Sequence, residues 1–240
     1  MEEFADDSRL ETGDRFMILL AIDTSGKDGG ITLARVDEAR DSNSLAMLET
    51  VALEGGTFSA QLVPQVAGLL AKHGLTNSDI GAFAVASGPG SFTGLRVGLA
   101  AVKALAEILE KPIAAVSRLE VLARSARGNG RVWSALEAGR GEFYVGRYDF
   151  GEGRLLDERL QSQSELLAEA RGAKLVTPER ALAEAARIAG VDVEEVARSG
   201  SEAIARIGWE RVQSGETILP EALDANYIRR SDGEIFVKRS

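Results

Sequence analysis

The sequence predicts an α/β protein of two related lobes, and three observations lead there. Short unbroken apolar runs, the first being Met17–Ile22 (MILLAI), read as buried strands. Segments of helical periodicity alternate with them. The order strand-strand-strand-helix-strand-helix-strand of the first half then returns, more weakly, in the second. Parallel strands joined through helices need right-handed crossovers, so each half starts antiparallel and continues parallel.

Met17–Ile22 ends at Asp23-Thr24-Ser25, and Gly26–Gly30 supplies turn chemistry before a second strand at Ile31–Val36. Met47–Leu53 reads as the third. From Ser59 to His73, Leu62, Val66, Leu69 and Leu70 recur at helical spacing, with Pro64 tolerated by lying near the first turn. Phe83–Ala86 is a strand, Gly88–Gly94 a glycine-rich loop, and Thr93–Glu110 a long helix ended by Lys111-Pro112. Ile113–Val116 and a helix at Arg118–Arg127 follow. In the second half, Arg131–Leu136, Phe143–Phe150, Leu155–Gln161 and Lys174–Thr177 read as strands. Ser164–Arg171, Glu179–Ala189 and Ser201–Gln213 read as helices. The lobes divide near Ser117: an acidic leader at 1–15, a first lobe at 16–117, and a second lobe with its tail at 118–240.

Composition removes several chemistries. The 240 residues hold 28 basic and 37 acidic side chains, a net charge of −9, with one histidine and no cysteine. No disulfide framework, thiolate zinc site or cysteine nucleophile can be built. His73 alone cannot supply a two-histidine metal site. An acidic chain is poorly suited to hold nucleic acid by itself, because that needs many clustered cations. Met1–Arg15 carries six acids against Arg9 and Arg15, the opposite of a secretory signal, and no apolar stretch approaches the length of a membrane span. A cytoplasmic protein is expected.

Two features remain as candidate sites. Ser87–Gly94 (SGPGSFTG) joins a strand to a helix, where free N–H groups and the helix dipole favour an anion. Gly88, Gly90, Ser91, Thr93 and Gly94 are therefore phosphate candidates, with Asp23 and Thr24 at the end of the first strand. A tight turn that uses glycine for its geometry and a Ser or Thr as the helix cap explains the same residues without a ligand. The second feature is a pair of helices lacking a charged face: Ser59–Ala71 holds no charge, and Thr93–Glu110 has only Arg96 and Lys103 before Glu107. They are either sandwiched within their lobe or docked on another protein. The tail from Tyr227 carries Arg229, Arg230, Lys238 and Arg239 against two acids.

ILLAIDTS (Ile18–Ser25), SGPGSFTGLRVGLAAVKALA (Ser87–Ala106), ALEAGRGEFYVGRY (Ala135–Tyr148) and NYIRR (Asn226–Arg230) together resemble the bacterial TsaB family. GPGSFTGLRVGLA is the most diagnostic piece. The resemblance implies an actin/Hsp70-like (ASKHA) fold of two ribonuclease-H-like lobes. It implies a non-catalytic subunit of the complex that places a threonylcarbamoyl group on the adenosine 3′ of the anticodon in tRNA. The partners implied are TsaD, the catalytic paralogue that holds a metal through paired histidines, and TsaE, an ATPase. A homodimer is expected when the chain is alone, and tRNA is met only through the complex. No cofactor is required by this reading, and ATP or ADP with Mg²⁺ at the glycine loop stays open.

In the segment corresponding to the paired-histidine helix the chain reads Ser59-Ala60-Gln61-Leu62-Val63-Pro64, without those ligands. Where the family commonly has Asp-Ala-Arg-x-x-Glu, it has Glu137-Ala138-Gly139-Arg140-Gly141-Glu142. Leu62, Val66, Leu69, Arg96, Leu99 and Lys103 are the candidate docking residues, and Arg229 and Arg230 the candidate tRNA contacts. The rival readings are a stand-alone ATP-binding enzyme built on Asp23 and the loop and, least favoured, a peptidase.

Overall fold

β1 (Phe16–Asp23) is buried from Ile18 onward on both faces, which suits only a central strand. It pairs antiparallel with β2 (Gly29–Asp37), which pairs with β3 (Leu45–Leu53), an edge strand whose burial alternates along its length. α1 (Phe58–Lys72) then crosses to β4 (Ile80–Gly88), parallel to β1, and α2 (Phe92–Leu109) crosses to β5 (Ile113–Ser117). The sheet order is β3-β2-β1-β4-β5. The computed structural model describes residues 16–37, 44–128 and 130–228; the acidic leader and the candidates Arg229 and Arg230 lie outside them.

After α3 (Arg118–Arg124) the plan repeats. β6 (Arg131–Gly139), β7 (Glu142–Asp149) and β8 (Arg154–Ser162) form the antiparallel start, followed by α4 (Gln163–Glu169), β9 (Lys174–Thr177), α5 (Arg180–Ile188) and β10 (Val193–Glu195). The second sheet runs β8-β7-β6-β9-β10, the same order counted from its own first strand. β10 is absent from the sequence reading: it is three residues long, VEE, and too short and acidic to stand out from a loop.

Each lobe gives its last helix to the other. α3 follows the first sheet but packs on β6 and β7. α6 (Ser201–Ser214) follows the second sheet and lies across β1, β4 and β5, burying Ile204, Ala205 and Ile207 against Leu19, Ala84 and Val116. Arg211 ties the exchange, donating to the Ala115 carbonyl and to Glu120, which also pairs with Arg124 at 2.8 Å. The chain then runs on over the first lobe: Leu223 joins that lobe's core and Ile218 bridges Ile113. The second lobe expected at 118–240 is corrected accordingly. An amphipathic pattern at Ser201–Gln213 says that a face is buried, but not on which sheet.

Pro64 lies inside α1 rather than near its first turn, because the helix starts at Phe58 after Thr57. It removes one backbone donor on the exposed side of the helix, where water can serve the carbonyl left over.

Candidate functional site

The turn after β1 and the start of α2 are built against each other. Asp23 is buried, and its Oδ1 accepts from the Ser25 N–H (2.9 Å) and from the Ser25 hydroxyl. Thr24, also buried, donates its hydroxyl to the Gly94 carbonyl at 2.7 Å. Ser25 offers its carbonyl to the Ser91 N–H at 2.7 Å. Ser91 Oγ in turn accepts from the Gly94 N–H at 3.2 Å and caps α2. A side chain at Gly94 would collide with the Thr24 carbonyl oxygen, and one at Gly90 with that of Ser25. These glycines are explained by one backbone lying on another. The Ser91 and Gly94 amides, donors that a phosphate would need, are thus given to protein acceptors.

A cleft of about 620 Å³ opens between the lobes beside this junction. Ser25, Gly90, Ser91, Thr93 and Gly94 line its floor; Lys27 and Asp28 stand on the first-lobe side; Arg118, Glu137 and Tyr144 close it from the second. Arg118 donates to the Pro89 carbonyl at 3.0 Å, so it also holds the glycine loop in place. Among the sequence candidates, Asp23 is not part of the cleft wall: it faces a separate cavity of about 20 Å³ with Val121, Leu136 and Ile204. Gly88 is buried beneath the loop and Thr24 behind it. Lys27 and Arg118 escaped the sequence reading, since neither sits in a recognisable motif. No group of three or more metal-ligating side chains occurs among the described residues.

The docking candidates separate into two sets. Leu62, Val66, Leu69 and Leu99 are 1%, 4%, 3% and 7% exposed and belong to the core of the first lobe. They attach the two helices to the sheet and cannot form an outer surface, a correction to the sequence expectation. Arg96 is exposed and Lys103 half-buried. The outer surface is instead made by Ala60, Val63 and Ala67 on α1, with Ala100, Ala104 and Ile108 on α2. Val63 is 61% exposed and Ile108 78%. Val63 and Ala67 face Ala101 and Leu105 across a narrow groove between the helices.

Residues 55–208 match the family model described as "TsaD: tRNA N6-adenosine threonylcarbamoyltransferase". The relative from Bacillus subtilis, "tRNA threonylcarbamoyladenosine biosynthesis protein TsaB", is 36% identical over 154 residues, 64% of either chain. The Escherichia coli protein of the same name is 35% identical over 139 residues, 57% of either chain. The chain belongs to the TsaB family. These alignments cover less than two thirds of either relative's length. A solved structure, YeaZ from Pseudomonas aeruginosa, superposes with a TM-score of 0.66 at 26% identity, covering 87% of this chain and 99% of that one. With the doubled sheet order, the likeness gives this TsaB-family chain the actin/Hsp70-like fold of two ribonuclease-H-like lobes. No described helix is long and apolar enough to cross a membrane.

Proposed function

We propose that this chain acts in tRNA threonylcarbamoyladenosine biosynthesis as a scaffold subunit without a catalytic site of its own, docking on the catalytic paralogue TsaD. The observation that carries the reading is the outer face of α1. In the segment Ser59–Pro64, which the resemblance sets against the paralogue's paired-histidine helix, this chain has no histidine, and Val63 stands open to solvent. A segment that would hold a metal in the enzyme is here part of an apolar, charge-free face, the kind of surface that another helix covers.

The groove between Val63 and Ala67 on one side and Ala101 and Leu105 on the other, about 60 Å³, offers a side chain of a partner helix a place to insert. Small residues along both helices let its backbone come close. Arg96 and Lys103 border the face and supply polar edges, as interfaces of this kind commonly have. The acidic balance favours meeting tRNA through the assembled complex, with TsaE joining it.

Depletion of the chain in its own cells tests the role. Nucleoside analysis of their tRNA is expected to lose the threonylcarbamoylated adenosine and to regain it on re-expression. Unaltered modification after depletion would reject the proposal.

A further inference from the structure

One carboxylate gathers the pieces of the lobe junction. Glu158, on β8 of the second lobe, accepts from Ser117 Oγ at 2.5 Å and from the Tyr148 hydroxyl at 2.5 Å, both on Oε1. Its Oε2 accepts from the Asn226 side-chain amide. Ser117 ends β5 of the first lobe, and its oxygen is already the acceptor of the Leu119 N–H at 3.2 Å, so its proton points to Glu158. Burial and then the charge of Glu158 push the Tyr148 phenol well above its ordinary range, which keeps it a donor. Three donors from three segments thus converge on a group that can only accept.

Asn226 belongs to the segment that follows α6 back over the first lobe, and its backbone N–H donates to the Ser87 carbonyl at 2.7 Å. The next residue reaches α2: the Tyr227 hydroxyl accepts from Arg96 Nε at 3.1 Å, and its ring lies 5.3 Å from that of Phe92. The Arg96 guanidinium covers Phe92 at 3.7 Å. Ile228 packs on the second lobe's cluster around Leu119 and Tyr148. A continuous set of contacts therefore runs from the junction, through two adjacent residues, to the exposed first turn of α2.

We infer that Glu158 is a latch that couples the set of the two lobes to the first turn of α2 through the Asn226–Tyr227 strap. With the latch made, the strap is held at both lobes and Tyr227 stacks on Phe92 and Arg96. With it broken, Asn226 loses its second-lobe partner, and the strap leaves α2 as it loosens. The inference stands apart from the docking reading, because it concerns contacts within this chain.

Hydrogen–deuterium exchange on the full chain tests it with Glu158→Gln, which keeps the shape but turns one acceptor into a donor, and with Asn226→Ala, which removes only the strap's bond. Both are expected to speed exchange at residues 226–228 and at residues 94–97 of α2, by about tenfold, the factor that one lost charge-assisted hydrogen bond represents. A faster strap with an unchanged α2 turn would overturn the coupling. No change in either segment would overturn the latch. If Glu158→Gln does not fold, Asn226→Ala alone decides between these results.

Discussion

Thr24 and Gly94, seventy residues apart in sequence, share a buried hydrogen bond of 2.7 Å between the Thr24 hydroxyl and the Gly94 carbonyl. The same approach leaves no room for a side chain at Gly94, because the obstacle would be the Thr24 backbone rather than a movable side chain. Gly94→Ala is therefore expected to destabilise the protein by about 1–3 kcal/mol, the usual cost of overpacking. Chemical denaturation reads this directly. A variant as stable as the parent would mean that the turn and the helix start can part without cost.

The same packing bears on nucleotide binding. The Ser91 and Gly94 amides are engaged by Ser25 and by the Ser91 cap and Asp23 is turned into a separate cavity, which withdraws two of the loop's donors from a triphosphate and one carboxylate from its Mg²⁺. Titration calorimetry with millimolar ATP and Mg²⁺ is expected to show no binding heat. Saturable heat abolished by Thr93→Val would return the enzyme reading to the front.

Core and surface residues of the helix pair are expected to respond in opposite ways. Leu69 is buried, so Leu69→Ala should cost about 2–5 kcal/mol of stability. Val63→Arg changes a side chain that stands in solvent, and surface replacements usually stay within about 0.5 kcal/mol. Thermal melts of the two variants separate these roles, and a large loss in Val63→Arg would show that the exposed face has a structural duty.

Glu49 on β3 accepts from Lys72 Nζ at 2.7 Å and from His73 Nε2 at 2.9 Å, clamping the end of α1 to the edge strand. The bond from Lys72, then that from His73, holds its carboxyl below the usual value of 4.5. A folded-state value below the unfolded one means that the unfolded chain takes up the proton first. The clamp's contribution is complete above the unfolded value and fades as pH falls through the folded one. Stability followed from pH 6 to pH 3 should decline less steeply in Glu49→Gln than in the parent. Parallel curves would remove Glu49 from the acid response.

Much of this was legible in the residues, for reasons that also mark where reading stops. MILLAI is apolar on both faces, so its central place in a sheet follows from composition alone. A Ser or Thr cap after the glycines and the Lys111-Pro112 stop are local chemistry, and they place α2 to within one residue at either end, with Ser91 as the cap. The faces of α1 and α2 were not legible, because Ala60, Val63 and Ala67 are as apolar as the leucines opposite them. With no charge to mark the outside, periodicity pointed to the leucines, and the leucines are the core. The crossing of α6 onto the first sheet and the strap through Asn226 are long-range pairings that no local pattern encodes.

Reconstituted threonylcarbamoyl transfer to tRNA tests the central claim most directly. Purified TsaD, TsaE and the carbamoyl donor are combined with the parent chain, with Val63→Arg, or with no third protein. Transfer is expected only with the parent chain, and Val63→Arg should lose both transfer and co-elution with TsaD while keeping its fold. Full transfer with Val63→Arg, or without the chain at all, would contradict a scaffold that works through this face.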